Sequence, residues 1–353
     1  MTLTVATDYD IRIAPIGAEH FDWLHARNYA GWVVLTDEHT RDQCLPLLSP
    51  FLADRRVVYV TVPAGERHKH LDTCRYIWEA MFDGGVGRRW CCLNVGGGVI
   101  GDMGGFAAAT FKRGIDFVQL PTTLLSQVDA SVGGKLGIDF HDVKNSIGLF
   151  ANPQAVWIDP RFLDTLPARE LRSGYAEVIK HALIADATQW ERLRRRVDLS
   201  GVDWEATIGH SVDIKRAVVE EDPHERGLRK ALNFGHTIGH AVESYFLNRP
   251  ERLLHGEAIA VGMITESWIS TRQRGLGADD LRTIVDYCRS VYGWQRVPES
   301  AFDALIGLMR QDKKNEGDEI NFTLLDAPGR AVVNEAATPE VILESLRFYN
   351  SLG

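Results

Sequence analysis

The sequence has few cysteines, no excess of positive charge and no long hydrophobic run. Its five cysteines are scattered and form no C-x-x-C pair, which disfavours a disulfide framework and a zinc ribbon. The formal net charge of -9 argues against a general affinity for nucleic acid or anionic membrane. No apolar stretch reaches the ~18 residues that span a bilayer, and the N-terminus shows no basic segment followed by an apolar core. These absences predict a cytoplasmic protein without nucleic-acid or membrane partners.

What is present indicates a globular protein of two domains. The chain has 353 residues, of which 45% are hydrophobic and 25% charged, enough for a sizeable core. Strand-like runs such as "GWVVLTD", "VVYVTV", "WCCLNVG" and "DFVQLP" alternate with amphipathic stretches in the first half. This alternation predicts a Rossmann-like parallel sheet covered on both faces, in an α/β domain over residues 1–165. Residues 166–353 have helical periodicity and predict a mainly α-helical domain, with a hairpin at "EINFTLLDAPGRAVVN" and a last helix at "PEVILESLRFYN".

A glycine-rich segment follows one of the predicted strands. "NVGGGVIGDMGG" fits G-x-G-x-x-G through Gly96, Gly98 and Gly101. Glycines there let backbone N–H groups approach a pyrophosphate at a helix N-terminus. The motif alone is equally compatible with a tight turn in an α/β domain.

Polar residues at other strand ends favour a large ligand with phosphates and hydroxyls. Asp37 ends one strand, Glu66 and Lys69 follow the next, and Thr122 and Thr123 follow a third. In parallel sheets, ligands bind beyond the carboxyl ends of the strands. The segment after Thr123 adds Asp129, a second glycine pair and Lys135.

Two histidines four residues apart, His236 and His240, lie on a predicted helix in "NFGHTIGHAVE" and share one of its faces. A third, His255, opens the next helical segment, and Glu177 lies on an apolar helical face where an unpaired carboxylate is costly. One carboxylate and two imidazoles suit a catalytic zinc site with an open position. We therefore predict a Glu177/His236/His255 metal site, and His240 then remains for proton transfer or for a hydrogen bond to the substrate.

Other interpretations of these residues stay open. Glu177 could pair with Lys180 or His181 along its helix, and the histidines could be satisfied core residues. His181 and His224 could compete as ligands.

Many cations lie near these residues, several beside glycines or beside Asn145 and Asn233. A substrate that carries both a phosphate and a carboxylate would need such a cluster. The candidates are Lys135, Lys144, Lys180, Lys215, Arg229, Lys313 and Lys314.

Four segments together resemble the 3-dehydroquinate synthase family of sugar-phosphate cyclases. They are "GGGVIGDMGGFAAATFKRGIDFVQLPTTLLSQVDASVGGKLGID", "LPARELRSGYAEVIKHALI", "RKALNFGHTIGHAVE" and "HGEAIAVGM". The resemblance implies conversion of 3-deoxy-D-arabino-heptulosonate 7-phosphate, a small anionic sugar phosphate, to 3-dehydroquinate and phosphate. It also implies bound NAD, a divalent metal (zinc, or else cobalt) and a homodimer.

The resemblance also assigns residues, and its metal ligands are the trio proposed above, Glu177, His236 and His255. Its substrate-binding and catalytic residues fall on Asp129, Lys135, Asn145, Lys180, Lys215, Arg229, Asn233, His240 and either Lys313 or Lys314. Arg113 matches an arginine that the family contributes to the phosphate across a dimer interface. The NAD contacts fall on Asp37, Glu66, Lys69, Gly97, Gly98, Val99, Ile100, Gly101, Asp102, Thr122, Thr123, Lys135, Lys144, Phe162, Leu163, Asp164, Thr165 and Glu170.

Three other functions are weighed against this one. A cyclase acting on sedoheptulose 7-phosphate could dispense with some of the cations, because that sugar lacks the carboxylate. A metal-dependent polyol dehydrogenase would accumulate NADH in step with its product. A nucleotide-binding regulatory protein would have no use for a metal-centred polar cleft.

Overall fold

The computed structural model describes residues 1–5, 8–53, 55–141, 143–196, 198–223, 225–310 and 320–353. Within them the chain forms two compact units. The first holds Met1–Leu171 and Asp203–Arg216, and the second holds Arg172–Val202 and Ala217–Gly353. The predicted division after residue 165 separates an NAD-binding from a metal-binding domain; it is a functional division and stays a prediction.

The first unit is built on a seven-stranded sheet. The described part of the unit contains these seven strands and two more that form a hairpin: β1 (Thr2–Val5), β2 (Tyr9–Ile13), β3 (Gly31–Asp37), β4 (Val57–Val62), β5 (Trp90–Gly96), β6 (Asp116–Pro121), β7 (Lys135–Phe140), β8 (Val143–Phe150) and β9 (Ala155–Ile158). The sheet order is β1-β2-β9-β6-β5-β3-β4, with β1 antiparallel to β2 and every other neighbouring pair parallel. Strands β7 and β8 form a separate antiparallel hairpin.

Both faces of this sheet are buried. Along β3, Val33 and Leu35 enter one hydrophobic cluster, and their neighbours Trp32 and Val34 enter the other. Strands covered on both faces carry continuous apolar runs instead of alternating ones, as residues 32–35 of β3 and residues 90–93 of β5 do. The predicted parallel α/β domain is confirmed. Its helices are α1 (Ala18–Ala26), α2 (Glu38–Gln43), α3 (Leu71–Asp83) and α4 (Gly98–Thr110), and its short turns of 3₁₀ or π helix are Leu45–Leu47, Ser49–Phe51, Glu66–His68, Phe111–Arg113, Ser126–Ala130 and Pro160–Thr165.

The second unit is mainly helical, as predicted. Helix α9 is its central element, since its residues from Ala258 to Ser270 are buried without interruption. The hairpin and the C-terminal helix predicted from the sequence are also present. The helices that lie wholly or partly in this unit are α5 (Ala168–Ala185), α6 (Ala187–Leu193), α7 (Trp204–Glu221), α8 (His236–Phe246), α9 (His255–Gln273), α10 (Ala278–Tyr292), α11 (Phe302–Arg310) and α12 (Pro339–Ser351), with 3₁₀ turns at Leu228–Asn233 and Glu299–Ala301 and strands β10 (Ile320–Ala327) and β11 (Arg330–Ala337).

All five cysteines are free thiols and are buried. Among the described residues, no helix combines the length and the hydrophobicity that crossing a bilayer requires.

Candidate active site

Three helices of the second unit bring Glu177, His236 and His255 together. Glu177 lies on α5, while His236 and His255 are the first residues of α8 and α9. Glu177 Oε1 is 3.2 Å from His255 Nε2 and 3.5 Å from His236 Nε2. One ligand atom from each residue lies within 4.8 Å of the other two. The predicted metal trio is thus spatially assembled.

Each histidine ring is oriented by a bond to its other nitrogen. Nδ1 of His236 lies 3.0 Å from the carbonyl oxygen of Phe234, and Nδ1 of His255 lies 3.3 Å from Glu243 Oε2. When Nδ1 donates its proton to such an acceptor, the Nε2 lone pair is left for a metal. One carboxylate oxygen and two Nε2 atoms are donors that suit zinc and similar divalent ions. The residues therefore fit the metal that the resemblance implies.

The two carboxylates next to His255 change its pKa. Burial lowers the pKa of His255, but its hydrogen bonds to Glu177 and Glu243 outweigh that effect and raise the pKa to about 10. A cation at Nε2 would take the place of a proton, so metal binding is coupled to proton release.

Lys180 lies one helical turn after Glu177 and forms an ion pair with it. Nζ of Lys180 contacts Glu177 Oε2, and both side chains are at most 1% exposed. One carboxylate oxygen thus meets the ammonium, while the other faces the histidines. The sequence left two roles open for Glu177, an ion pair along its helix and a metal ligand. The two roles are compatible, because Oε2 contacts Lys180 and Oε1 faces the histidines.

Two glycines allow the three helices to approach so closely. A Cβ atom on Gly256, next to His255, would lie 2.0 Å from the backbone oxygen of Ser173 on α5. A Cβ atom on Gly262 would lie 1.8 Å from the backbone oxygen of Gly235, which precedes His236. The Ser173 hydroxyl also accepts the N–H of Gly256 at 2.9 Å. Glycine and serine at the crossings therefore hold the three ligand-bearing turns together.

The remaining histidines differ in their surroundings. The half-buried ring of His240 has its centroid 4.9 Å from that of His236 and 5.8 Å from that of His255. A second group of possible ligands, His240, Glu243 and His255, also has donor atoms within 4.8 Å of one another. Glu243 of this group contacts Nδ1 of His255, so we assign Glu243 the role of orienting that ring. His181 is buried on α5, and His224 lies outside the described residues.

In the first unit, the glycine loop joins a strand to a helix N-terminus as predicted. β5 ends at Gly96, Gly97 is the extended residue before the helix, and α4 starts at Gly98. A Cβ on Gly97 would lie 3.0 Å from the Thr123 methyl group, and the N–H of Thr122 bonds to the Gly96 carbonyl oxygen at 3.0 Å. The first amides of a helix are unsatisfied and attract phosphate. The glycine segment therefore forms a tight turn and also leaves the first amides of α4 for a phosphate, so the two interpretations of the motif are compatible.

A buried lysine links this loop to the β7–β8 hairpin. Nζ of Lys69, which is 4% exposed, lies 2.6 Å from both Asp102 Oδ2 and Asn145 Oδ1. Burial opposes the charge on Lys69, but the Asp102 and Glu66 carboxylates outweigh it and raise the pKa of Lys69. Asn145 itself is in the left-handed region, with φ 51°, a conformation that a supporting network must hold.

A double-mutant cycle tests this link. We expect Lys69→Met and Asp102→Asn to be coupled by about 1–3 kcal/mol in the free energy of unfolding, because a buried ammonium forms a part-buried ion pair with the carboxylate. Urea unfolding of both single variants and the double variant gives this energy. The exposed pair Arg75 and Glu79, 3.8 Å apart on α3, is the control and should show coupling indistinguishable from zero. Equal coupling in the two pairs would contradict the expectation.

Several predicted residues of the first unit make side-chain contacts. The Asp37 carboxylate caps α2 by accepting the Thr40 N–H at 2.8 Å. Lys215 Nζ lies 2.9 Å from Asp129 Oδ1, and Lys144 Nζ lies 3.9 Å from Glu66 Oε1.

Other predicted residues differ in their exposure to solvent. Lys135, the first residue of β7, is exposed, and so is Arg113, which lies at a turn with φ 70°. In the last predicted segment of the NAD site, Phe162 and Leu163 are buried, whereas Asp164, Thr165 and Glu170 are exposed. Lys313 and Lys314 lie outside the described residues.

One residue that the sequence did not single out joins the predicted set. Asn233 Nδ2 donates to Glu225 Oε1 at 2.9 Å, and Glu225 has φ 57°. Nearby, Nη1 of the buried Arg229 donates to the Pro223 carbonyl oxygen at 2.7 Å. No sequence pattern marks Glu225, because its strained backbone becomes visible only in the folded chain.

Comparison with known proteins decides the family. The 3-dehydroquinate synthase N-terminal family model matches residues 59–173, and the 3-dehydroquinate synthase C-terminal model matches residues 174–315. The chain belongs to the 3-dehydroquinate synthase family. It is 42% identical over 331 residues to the 3-dehydroquinate synthase of Parabacteroides distasonis, covering 93% of this chain and 94% of that one. It is 44% identical over 291 residues to that of Bordetella pertussis, covering 81% of each.

A solved structure agrees with this membership. The 2-epi-5-epi-valiolone synthase of Streptomyces hygroscopicus subsp. jinggangensis, solved with NAD+ and Zn2+ bound, superposes with a TM-score of 0.86 at 27% identity, covering 100% of this chain and 99% of that one. In the 3-dehydroquinate synthase family match, the glycine loop lies in the N-terminal segment. The histidines and Glu177 lie in the C-terminal segment.

Proposed function

We propose that this protein catalyses the reaction for which its family is named. It is a phosphate-eliminating lyase that converts 3-deoxy-D-arabino-heptulosonate 7-phosphate to 3-dehydroquinate and inorganic phosphate. The observation that carries the proposal is the convergence of Glu177, His236 and His255 beside the buried Lys180, within the segment that matches the C-terminal family.

Two bound groups complete the chemistry. NAD at the glycine loop supplies reversible hydride acceptance, and a divalent cation, zinc or cobalt, at the Glu177 trio supplies Lewis acidity toward substrate hydroxyls. The first amides of α4 favour a pyrophosphate beside Gly97 and Gly98. Lys69 bonds both to Asp102 on α4 and to Asn145 on β8, and so connects the helix after the glycine loop to the hairpin.

The residues of the second unit set the charge of the site. One carboxylate and two neutral imidazoles would hold a divalent ion with about one unit of net positive charge, which would suit negative charge on a substrate oxygen. Lys180 adds a positive charge in direct contact with Glu177. We assign Arg229 and Asn233 to the substrate carboxylate, and His240 to proton transfer or a hydrogen bond.

Polar residues of the first unit suit the phosphate. Lys135 and Asn145 lie on the two strands of the hairpin, and we assign both to the phosphate. We assign Lys215, which is held by Asp129, to the charge near the substrate carboxylate. We infer that the protein is a cytoplasmic homodimer in which Arg113 serves the neighbouring subunit. Arg113 is exposed on a turn where Lys112 and Arg113 both have positive φ, and backbone outliers of this kind cluster at functional sites. The five buried thiols fit a reducing compartment.

One assay tests the proposal. The protein is incubated with the heptulosonate phosphate, a catalytic amount of NAD and zinc, and inorganic phosphate is followed with and without chelator. We expect many phosphates released per NAD, no NADH accumulating in step with product, and loss of activity in chelator that added zinc restores.

Parallel incubation with sedoheptulose 7-phosphate separates the related cyclase. Phosphate release from that sugar alone would contradict the proposed substrate and favour a cyclase that acts on sedoheptulose 7-phosphate. NADH that rises in step with product would indicate a polyol dehydrogenase, and inactivity toward both sugars would favour a regulatory nucleotide-binding protein.

A further inference from the structure

A buried carboxylate outside the predicted site contacts the start of the helix that carries His236. Glu266, on α9, is 0% exposed. Its Oε2 accepts the N–H of Gly235 at 2.6 Å, and its Oε1 accepts the N–H of Ile238 at 3.0 Å. The two bonded amides flank His236 in sequence, so the backbone of this ligand is held on both sides by one side chain.

This bond pattern replaces a cap that the local sequence lacks. The first amides of a helix have no intrahelical partner and are usually satisfied by a side chain just before the helix. Asp37 does this for α2 and Asp186 for α6, but α8 is preceded by Gly235, which has no side chain and φ 78°. Glu266 supplies the missing acceptor from another helix, and its negative charge suits the positive end of α8.

Helix α9 touches the same segment a second time, one turn earlier. Gly262 lies four residues before Glu266, and its Cα faces the carbonyl oxygen of Gly235 so closely that a Cβ would lie 1.8 Å from it. The helix α9 also begins with His255. The same helix therefore carries one metal ligand and fixes the backbone of another.

Packing alone does not explain a carboxylate at the buried position of Glu266. Burying an ionised acid costs several kcal/mol unless hydrogen bonds compensate, and an apolar residue would fill the same volume. Two well-placed amide donors make the charge tolerable and fix the geometry of the turn they belong to.

We propose that Glu266 is a positioning residue of the metal site. It acts through the Gly235–Ile238 backbone and sets the direction in which His236 presents Nε2. The inference rests on the proposed function, in that it takes the Glu177 trio as the site of a divalent ion.

Binding measurements on purified full-length protein test the role of Glu266. Zinc dissociation constants are obtained by competition with a chromophoric chelator, and visible absorption spectra are recorded after cobalt loading. In Glu266→Gln, one amide of the α8 start meets an NH₂ donor instead of an oxygen. We expect zinc affinity to fall about 10- to 100-fold and the cobalt bands to shift or weaken. Glu266→Asp keeps the carboxylate on a shorter side chain. Its zinc affinity should lie between those of Glu266→Gln and the wild type.

Ser267→Ala is the matched control. Ser267 is the next residue on α9, is equally buried, and its hydroxyl has no hydrogen-bond partner among the described residues. We expect its zinc affinity and cobalt spectrum to equal those of the wild type.

A merely structural role predicts a different result. Glu266→Gln and Glu266→Asp would then melt at lower temperature in chelator, but the folded protein would keep the wild-type zinc affinity and cobalt spectrum. That outcome overturns the inference and leaves the proposed function standing. Wild-type protein that binds neither zinc nor cobalt would overturn the proposed function, and this inference with it.

Discussion

Glu177→Gln is expected to abolish tight metal binding and to destabilise the metal-free protein by about 3–5 kcal/mol. The substitution removes a ligand oxygen's charge and at the same time leaves the Lys180 ammonium without its counter-ion. Both side chains are at most 1% exposed, and breaking a buried ion pair by removing one partner costs about this much. Zinc affinity should fall at least about 100-fold, the upper end of what loss of an outer hydrogen-bond partner alone costs.

Two measurements separate these effects. Urea unfolding in chelator reports the stability of the metal-free protein, and chelator competition reports zinc affinity. Glu79→Gln on α3 is the control, because Glu79 is 64% exposed and its ion pair with Arg75 is long at 3.8 Å. It should alter neither quantity. Unchanged zinc affinity in Glu177→Gln would show that the ion is held elsewhere.

The layout of the first unit could be predicted because its signals are local. The apolar runs at residues 32–35 and 90–93 identify β3 and β5, and the glycines that end β5 predict the start of α4. The trio could be proposed because each member carries its own signal. Glu177 is an acid on an apolar face, His236 lies four residues before His240 on a predicted helix, and His255 opens the next helical segment. Their spatial convergence is a tertiary fact that three separate signals could only suggest.

The groups that orient the ligands could not be predicted in this way. Ser173 bonds to Gly256 across 83 residues of sequence, and Glu266 bonds to Gly235 across 31. Neither has a fixed spacing from its partner, and both depend on which helices pack together. The one available signal was Glu266 itself, an acid inside the apolar run "AVGMITESWIS", and such a residue requires a partner that periodicity does not identify.

The glycines of α8 and α9 connect the packing of the second unit to its chemistry. A Cβ on Gly239 would approach Ile259 Cδ1 to 2.8 Å, and one on Gly262 would overlap the backbone of Gly235. Close helix approach at these residues puts the N-terminal turns of α8 and α9 beside Glu177. A larger residue at the crossing must therefore disturb both the stability and the ligand geometry.

Gly262→Ala tests this coupling and is expected to cost about 3 kcal/mol in the free energy of unfolding. That is the upper end of ordinary overpacking costs, chosen because the added methyl group meets a backbone oxygen at 1.8 Å, which no side-chain rotation relieves. Since the displaced segment precedes His236, zinc affinity should fall as well. Urea unfolding in chelator and chelator competition measure the two changes.

Gly307→Ala is the matched control on a neighbouring helix of the same unit. Gly307 lies within α11, and a Cβ there would have no atom within 4 Å. Alanine should stabilise that helix by about 0.5–1 kcal/mol, because it restricts the unfolded chain more than glycine does, and zinc affinity should not change. If Gly262→Ala behaved like Gly307→Ala in both measurements, the close crossing of α8 and α9 would not be what sets the metal site, and the positions of its histidines would need another cause.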